Sequence, residues 1–178
     1  MINVTIIGTG NLAFHLSKVF LKNQKINLVE ICGRKKNLPI EFNHYINYSN
    51  NISRIKNSDI CFICVSDDQI ENISKNLQTE DSTIVLHCSG STSIDVLSNH
   101  NSYGVFYPLQ TFSLKKNINF SNIPIIIEGN SNKNLNIIRD LSLMLSNKAL
   151  KASSKQRLAI HISAVFTNNF TNYMRIVA

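Results

Sequence analysis

Gly8, Gly10 and Ala13 fall in the stretch V-T-I-I-G-T-G-N-L-A, where the apolar strand Asn3–Ile7 runs into a Gly-x-Gly-x-x-Ala turn. The amphipathic run Leu12, Leu16, Val19, Phe20 follows directly. In this order the first glycine permits a tight turn and the second lets backbone N–H groups approach a pyrophosphate. The third small residue lets helix and strand pack closely. An anion placed there meets the unpaired N–H groups at Asn11 and its neighbours and the positive end of the helix dipole. Gly8, Thr9, Gly10, Asn11 and Leu12 are therefore the expected cofactor-binding residues of this turn. The competing reading is a glycine-rich turn that binds nothing, and the placement between strand and helix favours the dinucleotide.

A second set of chemically capable residues lies where later apolar runs end. Leu28–Cys32 reads as a strand followed by Gly33-Arg34-Lys35-Lys36. An acid at the end of this strand suits the ribose hydroxyls of NAD, whereas an arginine suits a 2′-phosphate. Glu30 lies inside the strand, while Arg34 and Lys35 stand just beyond it, which favours NADP over NAD; a solvated basic loop is the alternative. Asp59–Val65 is a continuous apolar run typical of a strand covered on both faces. It opens into Ser66-Asp67-Asp68, so Val65 and Ser66 are expected beside the nicotinamide ribose, with the two aspartates capping a helix over Gln69–Leu77. Thr83–Cys88 opens into Ser89-Gly90-Ser91-Thr92. His87 is either a proton donor or a satisfied structural histidine. Ser89 either hydrogen-bonds a substrate carbonyl or the cofactor amide, or caps Ser93–Leu97.

These residues need an alternating scaffold to bring them to one edge, and the rest of the sequence supplies it. Gly104–Tyr107 and Ile123–Glu128 read as two further strands and Asn134–Leu145 as a covering helix, giving a doubly wound, mostly parallel α/β sheet over residues 1–152. The 178 residues suffice for one such domain. No apolar run approaches the roughly 20 residues of a membrane span. The first residues enter a strand rather than a leader, so the cytoplasm is the expected compartment. The net charge is +7, yet the basic residues are scattered and lack interleaved aromatics, so no nucleic-acid partner is expected. Cys61 and Cys64 form a C-x-x-C, but residues three apart on a strand point to opposite faces. The four cysteines read as small buried hydrophobes, and no metal site is expected.

From Ser154 to Ala178 the pattern changes to one long helix with Ser153 or Ser154 as its cap. Apolar residues fall on more than one of its faces, which calls for neighbours on several sides. Residues 153–178 are thus expected to be the first long helix of a second, helical domain, or to be buried by another subunit. The exposed apolar run Leu158–Val177 points to a homodimer formed through it.

Three segments carry a resemblance to known proteins: the opening I-I-G-T-G-N-L-A, the pair L-H-C-S-G-S (Leu86–Ser91) and Y-P-L-Q-T-F (Tyr107–Phe112), and R-L-A-I-H-I-S-A-V-F-T-N-N-F (Arg157–Phe170). They resemble uncharacterised Rossmann proteins with a C-terminal helical domain of unknown function. That group is related to pyrroline-5-carboxylate reductase, ketopantoate reductase and the 6-phosphogluconate and β-hydroxyacid dehydrogenases. Such proteins usually read His-Pro-Leu-Gln where this chain has Tyr107-Pro108-Leu109-Gln110. Related dehydrogenases place a polar pair on the first long helix of the second domain, facing the nicotinamide. The resemblance implies that His161 and Asn169, eight residues apart, are the analogous pair, with His161 as acid/base and Asn169 holding substrate; polar residues lining a helix contact are the alternative. The implied activity is NADPH-dependent reduction of a small carbonyl or imine compound, with a proton from His161, His87 or water. A non-catalytic dinucleotide-binding module that reports cofactor state through its helix is the other reading.

Overall fold

The computed structural model describes residues 1–42, 46–51 and 55–177, without the side chains of 169, 170, 172, 175 and 176. Eight strands form a single sheet among the described residues: β1 (Ile2–Ile7), β2 (Ile26–Cys32), β3 (Tyr48–Ser49), β4 (Ile60–Ile63), β5 (Ile84–His87), β6 (Tyr103–Pro108), β7 (Ile125–Gly129) and β8 (Ala149–Lys151). Their order is β3-β2-β1-β4-β5-β6-β7-β8. The first six are mutually parallel. β7 runs antiparallel to β6, and β8 is parallel to β7. The chain thus has the Rossmann-type doubly wound sheet, with its order reversing between β1 and β4.

Alternation along the strands builds two cores. Val4, Ile6, Phe62, Leu86 and Phe106 point to the face covered by α1 (Asn11–Lys22) and α3 (Asn132–Leu143), whose Leu16, Phe20, Ile138 and Leu141 complete that layer. Ring contacts link Phe20 to Phe62 and Phe62 to Phe106, with centroids 5.3 Å and 5.2 Å apart. On the other face Ile7, Cys61, Ile63 and Val85 meet Ile70 and Ile73 of α2 (Asp67–Asn76) and Leu97 of a short 3-10 turn. Cys61 and Cys64 do lie on opposite faces.

The tail begins at a full capping box, in which Ser153 accepts from the Gln156 N–H while the Gln156 side chain accepts from the Ser153 N–H. Helix α4 (Ser154–Val165) passes through a π-helical turn at Phe166–Phe170 into α5 (Thr171–Val177). Glu128, near the end of β7, anchors its start. The carboxylate accepts from the Ser154 N–H and hydroxyl at 2.9 Å and 2.8 Å and pairs with the fully buried Arg157. Arg157 also donates to the Thr92 carbonyl at 2.5 Å, tying α4 to the loop after β5. A buried pair of this kind is weak evidence for stability, but removal of one partner strands the other, so it fixes where the helix leaves the sheet.

Candidate functional site

The carboxyl ends of β1, β2, β4, β5 and β6 share one edge because these strands are parallel, and a cavity of about 550 Å³ opens there at the switch between β1 and β4. Gly8, Thr9, Gly10, Asn11, Leu12, Arg34, Lys35, Val65 and Ser66 all line it, together with Cys32, Cys64, Asp67 and Cys88. The two glycines of the turn do different things. Gly8 has φ +121°, and a Cβ on it would sit 2.1 Å from the Cys64 carbonyl oxygen, so neither the conformation nor the space admits a side chain. Gly10 is the N-cap of α1 in ordinary extended geometry, and nothing lies within 4 Å of where its Cβ would be.

The first turn of α1 contains no acidic residue, and Gly10 offers no side-chain cap. Its leading N–H groups therefore face the cavity without intrahelical partners, as an anion requires. These residues fit a dinucleotide pyrophosphate. Around this turn, Asn11 donates to the Phe112 carbonyl at 3.0 Å and the His15 Nε2–H to the Ser113 carbonyl at 3.0 Å, which folds the segment after β6 across α1.

At the end of β2 the acid and the bases separate. Glu30 is buried, and its carboxylate accepts the backbone N–H of Lys56. Burial and the neighbouring Glu30 carboxylate push the Cys32 thiol up to about 12. Arg34 and Lys35 line the cavity instead. Ser66 is the N-cap of α2 but makes no side-chain cap bond, and Asp67 and Asp68 occupy the first helical turn, not the cap. Hydrogen bonds from Ser66 and Gln69, aided by the Arg34 charge, hold the Asp68 carboxyl below its usual range.

Beyond β5 the structure changes how two expected catalytic residues read. His87 is fully buried, and burial together with the nearby Arg157 charge lowers its pKa to about 3, so it is a neutral ring near pH 7. Its Nδ1 accepts the Ser89 N–H at 3.2 Å, and its buried Nε2 has no partner among the described residues. Ser89 does not cap the following 3-10 turn; Ser93 does. The Ser89 hydroxyl instead accepts from the Ser91 and Thr92 N–H groups at 3.1 Å and 3.0 Å and shapes the loop.

His161 stands on α4 with its Nδ1 2.8 Å from the Tyr107 hydroxyl, the rings meeting edge to face at 5.8 Å. Gly90 makes this possible, because a Cβ there would lie 2.6 Å from the His161 ring and 2.7 Å from Tyr107. The same loop reaches back to the larger cavity, where the Ser91 hydroxyl donates to Asp67 at 2.5 Å. Burial, and then the Asp67 charge, raise the Tyr107 hydroxyl above its ordinary pKa, so it keeps its proton at neutral pH. Tyr107 and His161 border a second cavity of about 210 Å³ with Gln110, Thr111 and Asn168. Asn168 donates to the Thr111 hydroxyl at 3.1 Å. Asn169 was the expected partner of His161, but its side chain lies outside the described residues. Seven residues on a regular helix turn through about 700°, within about 20° of one face, so strict 3.6-residue spacing would have marked Asn168. The pairing of Tyr107 with His161 joins residues 54 apart and leaves no local sequence signal.

Comparison with known proteins adds to this geometry. A family model described as a domain of unknown function, DUF2520, matches residues 123–178. A search of the curated proteins finds none that matches. Among solved structures, an inferred NADP oxidoreductase of Bacteroides fragilis is similar at 29% identity and TM-score 0.87, over 99% of this chain and 70% of that one. A Thermotoga maritima protein follows at 22% identity and TM-score 0.74, over 96% and 65%. The pyrroline carboxylate reductase of Plasmodium falciparum, solved with NADP bound, shares 15% identity and TM-score 0.67, over 99% and 66%. The chain spans just under two thirds of these last two, and at their identities the likeness is one of fold.

Proposed function

We propose that this chain binds NADP at the switch-point cavity and belongs to an oxidoreductase that transfers a hydride to or from a small carbonyl or imine compound. One observation carries the reading: an open cradle at Gly10 on the N-terminus of α1, with Arg34 and Lys35 on the same cavity. Glu30 is the residue with the right offset for ribose hydroxyls, and its carboxylate is buried and engaged by Lys56. That leaves the basic pair to meet a 2′-phosphate, which favours NADPH over NADH. The inferred activity of the Bacteroides protein and the NADP in the Plasmodium enzyme point the same way.

When bound, the nicotinamide supplies or accepts the hydride. The residues of this chain bind, orient and handle the proton. The N–H groups of Asn11 and Leu12 hold the pyrophosphate, and Val65 and Ser66 flank the nicotinamide ribose. Tyr107 and His161 are in hydrogen-bond contact at 2.8 Å, and His161 gives the proton to a substrate oxygen or nitrogen while Tyr107 orients its ring. Asn168 and Thr111 close the polar side of that cavity. Neither His87 nor Ser89 takes part in this scheme.

Residues 1–152 act here as the dinucleotide-binding domain and residues 153–178 as the start of a helical region for substrate and self-association, in the cytoplasm. Exposed Ile162, Phe166, Tyr173, Met174 and Val177 support a homodimer through this helix. A monodisperse monomer by light scattering at micromolar concentration contradicts the dimer. For the cofactor, calorimetric titration with NADPH and NADH decides: tighter NADPH binding whose margin disappears in Arg34→Ala supports the reading, and equal binding of both overturns the preference.

A further inference from the structure

Cys32, Cys64 and Cys88 line the larger cavity, the proposed function gives them no part, and two of them stand together. β4 and β5 pair in parallel with Ile63 opposite His87, so the next residues, Cys64 and Cys88, leave the sheet side by side. Their sulfurs are 3.7 Å apart, both side chains line the cavity, and they are 7% and 8% exposed. Cys61 lies on the opposite face of the sheet, in the other core. In-register neighbours on adjacent strands stand about 4.8 Å apart, within the roughly 4.4–6.8 Å between Cα atoms that a disulfide spans.

Cys64 is also part of the wall against which the glycine turn is built. Its N–H donates to the Ile7 carbonyl at 2.7 Å, and its carbonyl oxygen occupies the space that a Cβ on Gly8 would need. Any movement of Cys64 toward Cys88 is therefore felt by the Gly8–Gly10 turn.

We propose that Cys64 and Cys88 are a modification site for hydroperoxides, forming a disulfide that disturbs the Gly8–Gly10 turn and weakens dinucleotide binding. The hydrogen bond to Cys88 and burial push the Cys64 thiol up, so the first attack falls to Cys88: its sulfur attacks a peroxide oxygen, the O–O bond breaks, and a sulfenic acid forms as the thiol proton leaves with the displaced oxygen as water or an alcohol. The second thiol, Cys64, attacks that sulfur, the S–O bond breaks, the S–S bond forms and one water leaves. Two thiols thereby lose two electrons and the peroxide gains them. A dithiol reductant reverses the change. The effect on binding rests on the NADP reading, whereas the modification does not.

The test treats the full chain with hydrogen peroxide at mildly alkaline pH. It reads the Cys64–Cys88 linked peptide by mass spectrometry, the Gly8 and Gly10 amide resonances by NMR, and NADPH affinity by calorimetry. The expected result is a linked peptide, shifted Gly8 and Gly10 resonances and NADPH affinity weakened about tenfold or more, all restored by dithiothreitol. Bound NADPH slows the linkage, and neither Cys88→Ser nor Cys64→Ala forms it. Separate thiols or separately over-oxidised cysteines after treatment overturn the proposal. So does a linked peptide that leaves both glycine resonances in place. If the reduced chain binds no NADPH, the NADP reading fails, while the mass and NMR readings still decide the modification.

Discussion

Gly10→Ala separates binding from folding, because the two glycines of the turn differ in what surrounds them. At Gly10 the backbone is φ −82°, ψ −176°, which alanine adopts freely, and the new methyl meets nothing within 4 Å. Loss of glycine at an N-cap costs a few tenths to about 1 kcal/mol, and the stiffer unfolded chain returns about 0.4–1 kcal/mol. Stability should therefore change by less than about 1 kcal/mol. The methyl does project into the space that a pyrophosphate would fill. Displacing it from two backbone N–H groups, at about 1.5–3 kcal/mol for each hydrogen bond to a charged group, removes about 3–6 kcal/mol of binding. That corresponds to roughly 10²–10⁴-fold in Kd.

Gly8→Ala is the internal control, since φ +121° and a 2.1 Å approach to the Cys64 carbonyl should cost at least about 3 kcal/mol. For a chain of this length that lowers Tm by about 6–12 °C. Thermal unfolding and calorimetric NADPH titration of both variants read the two effects. NADPH binding by Gly10→Ala at parental affinity would refute the cradle, and parental stability of Gly8→Ala would refute the packing argument.

Arg157→Met leaves the Glu128 carboxylate without its cation and removes the bond to the Thr92 carbonyl, so unfolding should cost about 3–5 kcal/mol less, as measured by denaturant titration. His87 has its pKa lowered from 6.5 to about 3 in the folded state. The unfolded chain therefore binds this proton first, and the contribution is complete above pH 6.5 and is lost as pH falls toward 3. His87→Asn, which keeps an acceptor for the Ser89 N–H, should show a shallower fall in stability over that window. Arg34→Ala should reduce the preference for NADPH over NADH while leaving Tm nearly unchanged.

What the residues reveal in advance follows from how local each feature is. The strand, Gly-x-Gly turn and helix of residues 2–22 are contiguous, and their pattern is readable directly. The opposite facing of Cys61 and Cys64 needs only the two-residue period of a strand. The antiparallel direction of β7 is not readable, because alternation looks the same both ways along a strand, and the three residues of β8 are too few to show a period. The meeting of Tyr107 with His161, and of Cys64 with Cys88, depends on register between distant elements. His87 read as a possible acid because its sequence neighbours say nothing of burial, and Arg157 lay in a helix whose start is set by Glu128, 29 residues earlier.

The most direct test of the account is calorimetric titration of the reduced, unmodified chain with NADPH and NADH. The chain should show one site and bind NADPH more tightly than NADH. Absence of binding by either nucleotide would contradict it.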